Sequence, residues 1–215
     1  MIIGLTGNSG AGKTCAARII SGSVVSGGLA AAVIDCDGVA KDVTGIGSDC
    51  VHEIHAKMPR LRGAISDKFS LNRAKIAEIV FADIALKQKY ERIVFKYVTA
   101  TIIKRIAELQ PENEYIVLDA PTLFEANADK LCDIILAVTA PSKTLITRIV
   151  ARDSLTPEQA ALRLSAQKTA EYFSAKSDYV ILNDGEQKIF ERKVIDFCKQ
   201  VPTYKTGTSP QTDTA

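Results

Sequence analysis

The sequence predicts an α/β protein: a five-stranded parallel sheet covered by helices on both faces, with a long helical insertion. Three observations predict it. Apolar runs that do not alternate with polar residues recur along the chain, as strands buried on both faces require. Helical patterns separate these runs, the mark of parallel strands joined by crossovers. A glycine-rich loop ending in lysine joins the first run to the first helical pattern.

The elements follow in order. MIIGLT, residues 1–6, is the first strand, and GNSGAGKT follows it directly. CAARIISG has helical spacing and ends, on the glycine signal, at Gly22. LAAAVID, Leu29 to Asp35, is the second strand. From about Asp49 to Gln110 the pattern is helical, with Lys and Arg among Ile, Ala, Val and Leu, and Pro111 closes it. This is too long for one crossover, so residues 49–112 read as an inserted helical subdomain suited to a second substrate. YIVLDAP from Tyr115 and DIILAVTAP from Asp133 are the third and fourth strands. The helix SKTLITRIVARD follows, and then a second helix opens on Thr156 and Pro157, with Thr as N-cap and Pro at the first helical position. DYVILND is the fifth strand, and EQKIFERKVIDFCKQ a last amphipathic helix. The Thr-rich end, 201–215, lacks periodicity and reads as a disordered tail.

Composition removes several classes. At 215 residues the chain supports one domain with an insertion and needs no disulfide or metal to staple its core. A net charge of +2, from 27 basic and 25 acidic residues, weighs against a dedicated nucleic-acid or anionic-membrane surface. No run of 18 apolar residues occurs, so no membrane span is expected. The five cysteines form no C-x-x-C pair and read as reduced thiols of a cytoplasmic protein. The two histidines, His52 and His55, lack the further ligands that a metal site needs.

Gly7-Asn8-Ser9-Gly10-Ala11-Gly12-Lys13-Thr14 fits G-x-x-x-x-G-K-[ST], and it lies between a strand and a helix as a phosphate loop must. Glycines let main-chain N–H groups turn inward around phosphate oxygens. The helix N-terminus adds its positive dipole end. Lys13 neutralises charge between the β- and γ-phosphates, and the Thr14 hydroxyl suits Mg²⁺. No N-K-x-D guanine-reading segment is present, which favours ATP.

Other candidates flank the loop. Asp35 and Asp37 end the second strand, where ligands of open α/β sheets bind. One of them suits a base for an acceptor hydroxyl, and Asp37 equally suits capping of the helix that follows. Asp119 closes a hydrophobic strand, as a metal-binding aspartate or as a turn residue before Pro121. Arg148 and Arg152, four apart, share a helix face and suit transferring phosphates or a solvated surface. Arg163 on the next helix is a weaker candidate.

These residues resemble the dephospho-coenzyme A kinase family over roughly residues 1–195. The resemblance rests on several spaced motifs in order. They are Asp35-Cys36-Asp37-Gly38-Val39-Ala40-Lys41, Leu71-Asn72-Arg73 followed by Val80-Phe81, and Pro121 to Glu125. Arg152 to Ala160 leads into Arg163 and Ala166-Gln167, and Asp178 to Gly185 closes the series. The resemblance implies a P-loop kinase fold of the nucleoside-monophosphate-kinase type, with the insertion as acceptor domain and a lid over 150–167. It implies ATP-dependent phosphorylation of the ribose 3′-hydroxyl of dephospho-coenzyme A, with ATP and Mg²⁺. Asp37 would be the base, with Lys13, Arg148 and Thr6 the other catalytic residues. Asn8 to Thr14, Arg152 and Asn183 would bind the nucleotide, and Thr14 would serve the metal; Asp119 matches no fixed position of the family and stays a second metal candidate on its place at the strand end. Partners are the two small substrates, and the state a monomer or weak homo-oligomer. Asn8 stands where the family usually has Gly, and Phe95-Lys96 where it has His-Pro. Arg73, Lys75, Lys87 and Lys89 are candidate acceptor contacts in the insertion. Two other readings stay open: a kinase for another small hydroxyl acceptor, and a non-catalytic ATP-binding regulatory protein.

Overall fold

A computed structural model describes residues 1–26 and 31–204. The strands are β1 (Ile2–Gly7), β2 (Ala31–Asp35), β3 (Tyr115–Asp119), β4 (Ile134–Thr139) and β5 (Tyr179–Leu182). They form one sheet in the order β2-β3-β1-β4-β5. β1 runs parallel to β3 and β4, and β4 parallel to β5. The chain order therefore turns around β1: β2 and β3 lie to one side, β4 and β5 to the other. Ligands of such sheets bind at the carboxyl ends of strands beside this turn.

The chain divides into two compact units, residues 1–33 with 109–215, and residues 34–108. In the first unit the pleat of β4 shows why its apolar run does not alternate. Leu136 and Val138 join the core formed with Ile3 and Leu5 of β1, under α1 (Lys13–Ser26) and α9 (Gln187–Tyr204). Ala137, between them, packs on the opposite face with Phe124 and with Phe173 of α8 (Ala170–Lys176). Both faces are dry, so the strand is apolar at every position from Ile134 to Val138.

Two sequence expectations need correction. α1 does not stop at Gly22 but continues to Ser26. A helix-interior glycine costs about 1 kcal/mol relative to alanine, which packing elsewhere in a helix readily outweighs. The tail does not begin at residue 201. α9 runs on to Tyr204 because Val201 is buried in the core beside Val194 and Phe197. Residues 205–215 and the start of the expected second strand, 29–30, lie outside the described residues.

The second unit holds α2 (Cys36–Val43), α3 (Asp49–Lys57), a 3-10 turn over Pro59–Ala64, α4 (Arg73–Phe81) and α5 (Ile84–Leu109). Ser48 and Asn72 cap α3 and α4 through side-chain oxygens. Ion pairs cross-link the helices: Arg105 reaches Asp42 at 2.8 Å, and Arg60 reaches Asp83 at 2.6 Å. Glu53 of α3 accepts from Lys57 at 2.9 Å, from the Tyr97 hydroxyl at 2.7 Å, and from Lys96.

Candidate nucleotide-binding and phosphoryl-transfer site

The phosphate loop leaves the end of β1, and three of its glycines, Gly7, Gly10 and Gly12, sit at positive φ. Gly7 has φ +131°, and a Cβ there would sit 1.9 Å from the Val138 carbonyl oxygen of β4. Gly12 has φ +109°, and its Cβ would sit 2.6 Å from Asn183 Nδ2. Both values lie where side chains are strained. The loop then turns into α1, which starts at Lys13 and points its amino end at whatever the loop holds. The Lys13 ammonium is buried and donates to the carbonyls of Gly7 and Asn8, at 2.9 Å each. Thr14, in the first turn of α1, is exposed.

Asn183, just past β5, ties the loop from beneath. Its amide donates to the Ala11 carbonyl at 2.7 Å, and its own N–H bonds Thr139 O at the end of β4. Arg148, on α6 (Ser142–Asp153), donates to Gly10 O at 3.4 Å and to Asn183 Oδ1 at 3.3 Å. These bonds are long, so the guanidinium is held loosely between loop and strand end. One turn on, Arg152 Nη2 donates to Ser9 Oγ at 3.1 Å. The shared helix face of the two arginines thus meets the loop at consecutive residues.

α7 (Pro157–Ser165) follows, with Thr156 and Gln159 forming a reciprocal capping box at its start. Residues beyond α7 return to the loop. The Ser9 N–H donates to Gln167 Oε1 at 2.9 Å, and Asn8 Nδ2 to Lys168 O at 2.8 Å. Gln167 lies in a motif of the resemblance but carries no expected role, and nothing in the sequence marks the Lys168 carbonyl. The Asn8 amide thus makes a link that the glycine expected there from the resemblance would lack. Thr6 Oγ1 and Asn8 Oδ1 are buried and have no hydrogen-bond partner among the described residues. Buried orphans of this kind are uncommon outside functional sites. Asp119 ends β3 in register with Leu5, so it lies at the same carboxyl edge of the sheet.

In the second unit, capping falls to Asp35, not Asp37. Asp35 is extended, and its Oδ1 accepts from Gly38 N at 3.0 Å. Asp37 lies exposed in the first turn of α2. Among the basic candidates of the insertion, Arg73 donates to Thr44 Oγ1 at 3.0 Å, Lys75 to Gly63 O at 2.9 Å, and Lys87 pairs with Glu91 at 3.0 Å. Each of these therefore has a structural engagement of its own. Lys96, where the resemblance leads to an expected His-Pro, pairs with Glu53.

None of the five cysteines forms a disulfide, and burial pushes Cys50 and Cys198 up to about 11 and Cys132 up to about 12, which suppresses the thiolate at those three. No helix among the described residues is long and apolar enough to cross a membrane.

A glycine-lined anion cradle at the carboxyl end of the central strand, with a buried lysine and two arginines against it, defines a P-loop nucleotide-binding α/β protein. The sequence profile described as dephospho-CoA kinase matches residues 1–188, and the chain belongs to that family. A Moorella thermoacetica relative named dephospho-CoA kinase is 34% identical over 169 residues, covering 77% of this chain and 76% of the relative. A solved structure from Thermus thermophilus aligns with TM-score 0.73 at 26% identity, over 94% of this chain and 97% of that one. A Campylobacter jejuni structure titled dephospho-CoA kinase aligns with TM-score 0.64 at 20% identity, over 96% and 98%, and at that identity speaks to the fold alone.

Proposed function

We propose that the protein transfers the γ-phosphoryl group of ATP to the ribose 3′-hydroxyl of dephospho-coenzyme A, giving ADP and coenzyme A. The observation that carries the reading is the convergence of Lys13, Arg148 and Arg152 on a phosphate loop inside a chain whose family profile runs through residues 1–188.

Phosphoryl transfer asks for positioning and charge neutralisation more than covalent chemistry. The loop N–H groups and the α1 dipole hold the β-phosphate. Lys13 exchanges the Gly7 and Asn8 carbonyls for phosphate oxygens, whose negative charge it binds more strongly than a neutral carbonyl. Arg148 and Arg152 take up the charge that spreads over the equatorial oxygens in the transition state. Asn183 keeps the loop in shape by holding the Ala11 carbonyl away from the anion. Asp37 accepts the proton of the acceptor alcohol. Its exposure suits this role, and the cap duty of α2 rests on Asp35. The Thr6 hydroxyl, buried and without a hydrogen-bond partner among the described residues, is available for a bond that forms only with substrate.

Mg²⁺ takes oxygen ligands and is commonly held by one or two protein oxygens together with substrate phosphates. The Thr14 hydroxyl at the start of α1 and the Asp119 carboxylate at the end of β3 fit that donor set. When bound, the ion would neutralise charge on the β- and γ-phosphates. Residues 150–167 act as the lid, since Ser9 is reached from both ends of that segment. The segment 49–112 binds the acceptor. The protein works in the cytoplasm as a monomer or weak homo-oligomer.

The test is direct. Purified protein, ATP, Mg²⁺ and dephospho-coenzyme A should yield ADP and a new 3′-phosphate resonance by phosphorus NMR. ATP consumption indifferent to dephospho-coenzyme A, or faster with a nucleoside, would overturn the assignment.

A further inference from the structure

Asp153 is the last residue of α6, and no role in the reaction has been given to it so far. It receives two arginines. Arg152 meets it as a two-pronged fork, Nε to Oδ1 at 2.8 Å and Nη2 to Oδ2 at 2.9 Å. Arg163, from α7, adds Nη1 to Oδ2 at 2.7 Å. The Asp153 side chain is 22% exposed, against 55% for Arg152 and 49% for Arg163. The carboxylate is thus the anchored partner, and the arginines are the exposed ones.

We propose that Asp153 is a positioning residue, which fixes Arg152 and Arg163 before ATP arrives and aims Arg152 at the phosphate loop. The inference rests on the reading of Arg152 as a contact to the phosphates of ATP. Three observations carry it. First, Arg152 Nη2 is shared: one bond goes to Asp153 Oδ2 and one to Ser9 Oγ. The fork that holds the guanidinium plane therefore sets its direction toward the loop, and Nη1 is left for an incoming anion. Second, neighbours in sequence do not face one another on a helix. The pairing of residues 152 and 153 needs the helix to end there, and Ser154 at φ +54° ends it. The same left-handed turn swings α7 round so that Arg163 reaches the carboxylate. Third, exposed ion pairs contribute little to stability, whereas ordering a long side chain in advance removes a cost otherwise met on binding. The adjoining guanidinium of Arg152 and, less strongly, that of Arg163 hold the Asp153 carboxyl below its ordinary range. It stays charged at neutral pH and offsets the repulsion between the two arginines.

The experiment compares the parent, R152M, D153N and the double variant, each by steady-state kinetics with ATP varied and then with dephospho-coenzyme A varied. Asparagine keeps the shape of the aspartate but lacks the second acceptor oxygen and the charge. D153N should raise the KM for ATP about tenfold, within the span that small misplacements of a positioned group produce, and leave the KM for dephospho-coenzyme A within about twofold. The double variant should be no worse than R152M, because both act through one guanidinium. A KM for ATP unchanged in D153N while R152M raises it would overturn the inference and leave the reading of Arg152 intact. Effects of D153N and R152M that multiply would overturn it as well. An unchanged KM in R152M would remove the reading of Arg152 and the inference with it. A purely structural role for Asp153 would lower the amount of active enzyme and leave the KM of the survivors at the parent value, which also overturns it.

Discussion

In the phosphate loop, Lys13 is buried and gives its protons to two main-chain carbonyls. In the helical unit, Lys57 and Lys96 are exposed and both go to a single carboxylate, Glu53. The difference separates two uses of charge. A buried ammonium that rests on main-chain carbonyls gains most when phosphate oxygens replace them. An ammonium paired with a carboxylate is already neutralised: Lys96 holds α5 to α3 through Glu53, and Lys57 braces the same carboxylate within α3.

If that contrast is right, removing the loop lysine should be costly to chemistry and cheap to folding. Lys13→Ala should reduce kcat/KM by about 10²–10³-fold, the range seen when one charge-stabilising donor is lost. Steady-state assays at saturating acceptor check it, with thermal melting to show that the fold is kept. ATP use at the parent rate would remove the phosphate-loop reading.

Asp37 extends the comparison to a carboxylate. Asp37→Asn should lower kcat by at least about tenfold, since base assistance contributes about 10²–10⁴-fold. The affinity for ATP, measured by calorimetry without acceptor, should barely change. Near-parent turnover would end the base assignment. Asp35→Asn is the contrasting variant, because an asparagine cap is nearly as good as an aspartate, and its effect on kcat should be small.

What was legible in the chain divides along the same line. Gly7 to Thr14 could be read because the loop works through consecutive main-chain atoms, so the whole requirement lies in one short segment. The strands were legible because both faces of the sheet are dry. Asp35 and Asp37 were harder: which one caps depends on whether α2 starts at residue 36 or at residue 38, and no local residue decides that. Gln167 on Ser9, and Arg163 on Asp153, were beyond reach. Those contacts follow from the angle between α6 and α7, set by a serine in a left-handed conformation where a glycine would have announced the turn. Asn183 was found only through the resemblance. Its bond to Ala11 spans 172 residues of sequence, which no periodicity encodes.

Asn183 offers the next test. It is buried, and truncation strands the Ala11 carbonyl and one side of Arg148. Asn183→Ala should cost about 1–3 kcal/mol, the usual penalty of an unsatisfied buried group. At about 2–4 °C per kcal/mol for a chain of this size, calorimetry should show a fall of several degrees. The KM for ATP should rise with it, because the loop loses a strut. A lower melting temperature with an unaltered KM would make Asn183 a packing residue only.

Glu53 carries the smallest effect and the most specific signature. Bonds from Lys96, Tyr97 and Lys57 hold its carboxyl down at about 2, against an ordinary value of 4.5. A lowered folded-state value means that the group adds stability above the unfolded value and loses it as pH falls through the folded one. The contribution is complete above about pH 5 and fades toward pH 2. Glu53→Gln should therefore lower the melting temperature slightly at pH 7, less at pH 3.5, and hardly at all near pH 2, with no change in the KM for ATP at neutral pH. Salt should shrink the difference at pH 7, because the partner ammonium groups are exposed. A penalty independent of pH would mean that the glutamate acts by packing on Tyr97 and not by its charge, and the contrast with Lys13 would then have to be drawn between burial and exposure alone.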